Sequence, residues 1–252
     1  MKIEIRDLQF TYPNGIVALA GINLTIDSGE QVAIVGQNGA GKTTLVKHFN
    51  GLLQPSSGYV GIGDWDTKFT SVAKMAKRVG YVFQNPDEQL FSKNVGAEVA
   101  FGPRNLGFSG EQVERQVNDA LVMVELSDKT ETNPYDLSPT WRKLVAIASI
   151  IAMDTDIVIF DEPTTGQDAA NIARIAQVIR VLRERGKTVI TITHDIDFCA
   201  ENFERVRAAL GQRQDSRPEQ DAQESEPLDL RVVRTQDAEV QREIREIGRA
   251  HV

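Results

Sequence analysis

The sequence is poor in several things, and each shortage excludes something. It has a single cysteine, Cys199, among 252 residues. No disulfide can form within the chain, so a reducing cytoplasm is its natural compartment. No apolar run approaches the roughly 18 residues that a membrane-spanning helix needs, so any membrane role has to run through partners. The opening "MKIEIRDLQF" alternates apolar and polar residues. It reads as a strand and lacks the apolar segment of a secretion signal. Positive charge is outweighed: 28 Lys and Arg against 36 Asp and Glu give a net charge of −8, which argues against nucleic acid as a partner. The hydrophobic content of 41% is ordinary for a globular protein, and the length suits one large domain or two small ones.

What is present is an alternation of strands and helices. Residues 2–34 read as short strands with turns at "YPNG" and "DSGE". The apolar strand "QVAIVG" runs into "GQNGAGKTT", and a helix "TLVKHFNGLL" follows. "RVGYVFQ", "DIVIFDEP" and "KTVITITHD" read as further strands, with the helix "ANIARIAQVIRVLRERG" before the last. This order predicts a mostly parallel α/β core. Residues 92–135 interrupt it and read as mostly helical, with Val113, Val117, Leu121 and Val124 on one face of "GEQVERQVNDALVMVEL".

The segment 207–252 differs in kind. It has no aromatic residue, eight arginines and no lysine, whereas residues 1–206 hold ten of each base. Eighteen of its 46 residues are charged. One reading is a solvated, partly helical or disordered tail. The other is a segment foreign to the fold, produced by a reading-frame change.

Two motifs carry chemistry. "GQNGAGKT", Gly36 to Thr43, follows an apolar strand and opens a helix, which is the context that a phosphate-binding loop requires. Its glycines let backbone N–H groups wrap a phosphate chain, and the helix start adds positive potential. Lys42 is placed to reach the outer phosphates, and the Thr43 hydroxyl to ligate Mg²⁺. "IVIFDEP" ends a buried-type strand on Asp161 and Glu162. Asp161 suits orientation of Mg²⁺, and Glu162 suits activation of an attacking water. Acidic residues also end strands as solvated caps, and a lone histidine is more often structural. Here, however, Gln84 and His194 also stand at strand ends. Four such residues in one sheet point to one site, because ligands gather at the carboxyl edge of α/β sheets.

In this order the residues resemble an ATP-binding-cassette (ABC) ATPase subunit over about residues 1–206. The resemblance implies an α/β P-loop NTPase core with an antiparallel β subdomain and a helical subdomain at about 92–152. It implies Tyr12 as the aromatic stacking on adenine. It makes Gly36, Asn38, Gly39, Ala40, Gly41, Lys42, Thr43 and Thr44 the nucleotide-binding loop. Gln84 becomes the Q-loop residue, contributing to Mg²⁺ and to catalysis. Asp161 and Glu162 become metal partner and catalytic base, "TTGQD" (Thr164–Asp168) the D-loop region, and His194 the switch histidine. "VFQNPDEQLFSKNVGAEVAFGPRNLG" is similar to energy-coupling-factor (ECF) transporter ATPases, which power uptake of vitamins and metal ions. The cofactors so implied are ATP and Mg²⁺. The implied partners are a second ATPase subunit and an integral-membrane component contacting Gln84 to Arg104, on the cytoplasmic face of the membrane.

The loop that caps a partner's ATP is usually Leu-Ser-Gly-Gly-Gln in this family. Here it reads "LSPTW", Leu137 to Trp141. Ser138 suits a helix N-cap and Pro139 the first helical position, so folding is served. As a phosphate site the loop is poorer. Proline deletes an N–H, and the side chains of Thr140 and Trp141 crowd a close backbone approach. Trp141 reads either as an anchor at the subdomain seam or as an obstacle at the phosphate. The expectation is a heterodimer with a glycine-signature partner. The alternatives are a soluble ABC ATPase of DNA repair or translation, disfavoured by charge and by the absence of coiled-coil insertions, and a non-catalytic structural subunit.

Overall fold

The computed structural model describes residues 1–36, 39–203, 205–209 and 230–234. The chain forms two compact units. One comprises Lys2–Asp27, Val32–Val72 and the described residues from His194 onward; the other comprises Ser28–Gln31 and Ala73–Thr193.

In the first unit an antiparallel sheet forms from β1 (Ile3–Thr11), β2 (Val17–Ile26), β4 (Ser57–Ile62) and β5 (Trp65–Asp66), in the order β2-β1-β4-β5. The alternation read in "MKIEIRDLQF" sets which side is buried. Ile3 and Ile5 face inward and pair with Ile26 and Leu24 of β2 and with Ile62 and Val60 of β4. In the same unit β3 (Gln31–Gly36) pairs in parallel with β9 (Arg205–Ala209), which pairs antiparallel with β10 (Leu230–Arg234). Helix α1 follows β3 but spans only Lys42–Lys47, shorter than the "TLVKHFNGLL" expectation. The N–H groups of His48 and Phe49 turn back three residues, to Leu45 and Val46 carbonyls. Gly51 then takes a φ of 76° that helical geometry cannot use.

In the second unit β6 (Val79–Val82), β7 (Ile157–Asp161) and β8 (Thr188–Thr193) run parallel with β7 in the middle. All three are buried along their length, as near-continuous apolar strands of a parallel sheet should be. Helices α3 (Val95–Asn105), α4 (Gly110–Met123) and α5 (Pro139–Ile151) pack on one another, and α6 (Ala169–Glu184) lies against β8. Two short helices are α2 (Val72–Met75), where the two units meet in the sequence, and α7 (Ile196–Asn202), in the first unit. On α4, Val113 and Leu121 are buried and Val117 half-buried; Val124, its C-cap, is also buried. Ser109 and Gln112 close a reciprocal cap at its start. β6 and α5 come very close: a Cβ on Gly80 would lie 2.5 Å from Ile150 Cγ2 and 2.9 Å from Thr155 Oγ1.

The architecture is thus α/β, with an antiparallel sheet, parallel strands and helices, as expected. Asn38 and most of 207–252 lie outside the described residues. The strand residues 205–209 and 230–234 are described in backbone alone.

Candidate functional site

The expected nucleotide-site residues fall on both units. Tyr12, Gly36, Gly39, Ala40, Gly41, Lys42, Thr43, Thr44 and His194 belong to one; Gln84, Asp161, Glu162, Ser138, Pro139 and Thr140 belong to the other.

At the glycine loop the backbone is bent as only glycine allows. Gly41 has a φ of 84°, and a Cβ there would sit 2.8 Å from the Ala18 carbonyl oxygen. Lys42 is buried, and its Nζ donates to the Gly36 carbonyl at 2.6 Å, folding the side chain over the loop. Ala40 is buried and Thr43 half-buried. The Tyr12 hydroxyl and Thr44 Oγ1 share a hydrogen bond of 2.8 Å, and the Phe10 ring meets Tyr12 edge-on at 4.9 Å. Beneath α1, His48 Nδ1 lies 2.8 Å from the Thr44 carbonyl. Burial lowers the His48 pKa, against the backbone carbonyls of Thr44, Leu45 and Gln54. The imidazole is therefore neutral, its Nδ1–H donating to Thr44.

On the other unit, Asp161 ends β7 and is buried, and the Tyr81 hydroxyl donates to its Oδ2 at 2.6 Å. Burial, and then the Asp161 charge, push the Tyr81 pKa far up, so the phenol keeps its proton and remains a donor. Glu162 is buried with a φ of 47°, a strained setting for a residue with a side chain. Its N–H donates to the Ile192 carbonyl at 2.8 Å, and Thr165 Oγ1 donates to its carboxylate at 3.4 Å. Asp168 caps α6 by accepting from Asn171 N at 2.8 Å. Gln84 lies two residues past the end of β6 and is exposed. His194, just past β8, is exposed as well.

The signature segment is built as read. Ser138 caps α5 and Pro139 is its first residue. Ser138 Oγ pairs with Thr140 Oγ1 at 2.8 Å and accepts from Trp141 N at 3.5 Å. Trp141 is half-buried under the Arg174 guanidinium, 5.2 Å from its ring centre. Arg174 also donates to Glu125 Oε2 at 2.7 Å and Asn171 Oδ1 at 2.8 Å.

The sequence reading missed Tyr81, Lys143, Gln89 and Glu98. Lys143, buried in α5, donates from Nζ to the carbonyls of Phe83 at 2.9 Å and Gln84 at 2.6 Å. Burial lowers its pKa to about 8, although the charges of Asp161 and Glu162 raise it. Gln89 accepts from Phe83 N at 3.1 Å and donates to the Ala146 carbonyl at 2.8 Å. The buried Glu98 accepts from Phe91 N at 2.9 Å and Ser92 N at 2.6 Å. A signal existed for Lys143, as a charge that directly abuts the apolar run of α5. For Tyr81 there was none without knowing that β6 and β7 are neighbours.

Residues 19–165 match the family model described as ABC transporter. The chain belongs to the ABC transporter family. It is an ATP-binding and ATP-hydrolysing subunit of a membrane transporter. The ABC subunit is 45% identical over 198 residues to the energy-coupling factor transporter ATP-binding protein EcfA of Methanococcus maripaludis, covering 78% of this chain and 71% of that one. Its identity to EcfA of Methanocaldococcus jannaschii is 44% over 198 residues, with the same coverage of 78% and 71%. Among solved structures it resembles CbiO1 of Clostridium perfringens, part of the ABC transporter complex CbiONQ. That likeness has a TM-score of 0.74 at 34% identity, covering 82% of this chain and 83% of that one. A cassette dimer, MJ0796, in a post-hydrolysis state with ADP and Pi aligns with a TM-score of 0.75 at 29% identity, covering 82% and 93%. Among the described residues no helix is long and apolar enough to cross a membrane.

The residues fit the group this family binds. Gly41 leaves no room for a side chain, as a loop closing on phosphates requires. Asp161 is a buried oxygen donor of the kind Mg²⁺ prefers.

Proposed function

We propose that this subunit hydrolyses Mg²⁺-ATP in an ECF-type transporter that takes up a vitamin or metal ion. In this reading it sits peripherally on the cytoplasmic face and works in a heterodimer with a second ATPase. When bound, Mg²⁺ would supply positive charge against that developing on the phosphates. Tyr12 stacks on adenine, with its hydroxyl held by Thr44. The loop from Gly36 through Gly39, Ala40 and Gly41 to Thr43 wraps the phosphates, and Lys42 swings from the Gly36 carbonyl to them. Thr43 of one unit, and Asp161 and Gln84 of the other, are the residues that would hold the Mg²⁺. Glu162 draws the proton from the attacking water, and His194 steadies the terminal phosphate. Membrane-partner docking at Gln84 to Arg104 is supported by two exposed rings there, Phe91 and Phe101, in edge contact at 4.7 Å. The names of the relatives support the ECF assignment. The composition change after residue 206 supports reading 1–206 as the ATPase domain.

The observation that carries the heterodimer is the signature segment. Its serine hydroxyl is engaged by Thr140, and Pro139 has no N–H to give. In a homodimer both ATP sites would be capped by this weakened loop; with a glycine-signature partner, the ATP on this chain's Lys42 and Glu162 would be capped well. The test compares ATP turnover of the purified chain alone with turnover after adding an ABC ATPase subunit that carries the glycine signature. Turnover several-fold higher in the mixture supports the heterodimer; equal turnover refutes it.

A further inference from the structure

Helix α5 buries Leu144, Val145, Ala146, Ile147 and Ala148, and in that run a lysine is out of place. Lys143 is 1% exposed. Desolvating a cation is costly unless hydrogen bonds offset it. Lys143 spends its bonds on two adjacent carbonyls, Phe83 and Gln84, just beyond the end of β6. Next to it, Arg142 pairs with Asp87 at 3.3 Å. Gly80 of β6 lets the Ile150 side chain of α5 pack directly on the strand, where a Cβ would lie 2.5 Å from Ile150 Cγ2. A leucine or methionine would fill the same space without the desolvation cost, so the packing alone does not account for a lysine. What the lysine adds is a hold on the backbone of Gln84, whose own side chain stands in solvent.

We propose that Lys143 is a positioning residue for the ATPase reaction: it pins the Phe83–Gln84 backbone to α5, so that the Gln84 amide and the signature end of that helix move as one piece. The proposal rests on the reading of Gln84 as a ligand of Mg²⁺ and water. The Lys143 ammonium bonds to the Phe83 and Gln84 carbonyls and acts through the position of Gln84. Removing it leaves the glycine loop untouched, so the loss falls on turnover and not on nucleotide binding. A misplacement of about 1 Å at a reacting centre costs up to about 100-fold in rate.

The experiment uses the full chain with Lys143→Met, Lys143→Arg and Gln84→Ala. Steady-state ATP hydrolysis gives kcat and KM, and hydrogen exchange of the nucleotide-free protein gives protection across residues 83–92. Lys143→Met is expected to lower kcat about 10- to 100-fold at a KM changed less than about two-fold. Exchange over 83–92 should accelerate at least about ten-fold. Lys143→Arg, which keeps the charge and the donors, should restore much of both. Unchanged exchange over 83–92 in Lys143→Met overturns the proposal whatever the rate. So does accelerated exchange with an unchanged kcat. If Lys143→Met does not fold, the arginine variant decides: near-normal kcat supports the pin, and a loss as large as that of Gln84→Ala overturns it. Unchanged kcat in Gln84→Ala itself would mean instead that the Gln84 reading has failed.

Discussion

Restoring glycine to the signature segment, as Pro139→Gly with Thr140→Gly, separates the two roles of these residues. The change returns an N–H at position 139 and removes the hydroxyl that engages Ser138 Oγ at 2.8 Å. A hydrogen bond to a charged group is worth about 1.5–3 kcal/mol, so ATP turnover of the chain alone should rise about 10- to 150-fold. Stability should move the other way. Losing a proline already shaped for the helix costs about 0.4–1 kcal/mol. Glycine in place of threonine inside the first turn adds a few tenths of a kcal/mol. The exposed Ser138–Thr140 bond contributes about 1 kcal/mol. Together the variant should be about 2 kcal/mol less stable than the parent. A phosphate-release assay run over a series of protein concentrations gives the rate, and a urea titration gives the stability. A folded variant that binds ATP as the parent does, yet turns over no faster, would refute the argument that this loop limits the chain.

Glu162→Gln should keep ATP binding and lower hydrolysis about 10²- to 10⁴-fold, as filter binding and phosphate release would show. Gly41→Ala should lose ATP binding and about 1–2 kcal/mol of stability from the left-handed backbone alone, because its new Cβ meets the Ala18 carbonyl oxygen at 2.8 Å; isothermal titration and a melt test both. Lys143, with a folded pKa of about 8 against 10.5 unfolded, binds fewer protons in the native state between those values. Its contribution to stability therefore rises with pH from about 8 to about 10.5, recovering about 3 kcal/mol that burial of the charge costs at neutral pH. Urea midpoints of the parent and Lys143→Met at pH 7, 8, 9 and 10 should converge or cross in the parent's favour, and a constant gap would refute this.

The sequence by itself determined the class of fold and the glycine loop between β3 and α1. A glycine run after an apolar strand, with Lys42 and Thr43 opening a helix, has one strong physical reading, and it depends only on near neighbours along the chain. The same holds for Asp161 and Glu162 closing "IVIFDEP", and for Ser138 and Pro139 as a helix start, since caps and turns are local. Where α1 stops was less legible. The apolar pattern continues past Lys47, and only the three-residue turns at His48 and Phe49 end the helix. Tertiary structure alone decided the rest. Tyr81 meets Asp161 because two strands 80 residues apart are neighbours. Lys143 reaches the Gln84 carbonyl across 59 residues. Trp141 lies under Arg174 because α6 passes the start of α5. Side-chain hydrogen bonds to distant backbone leave no periodic mark on a sequence, so the grip on the Gln84 segment became visible only when the chain was folded.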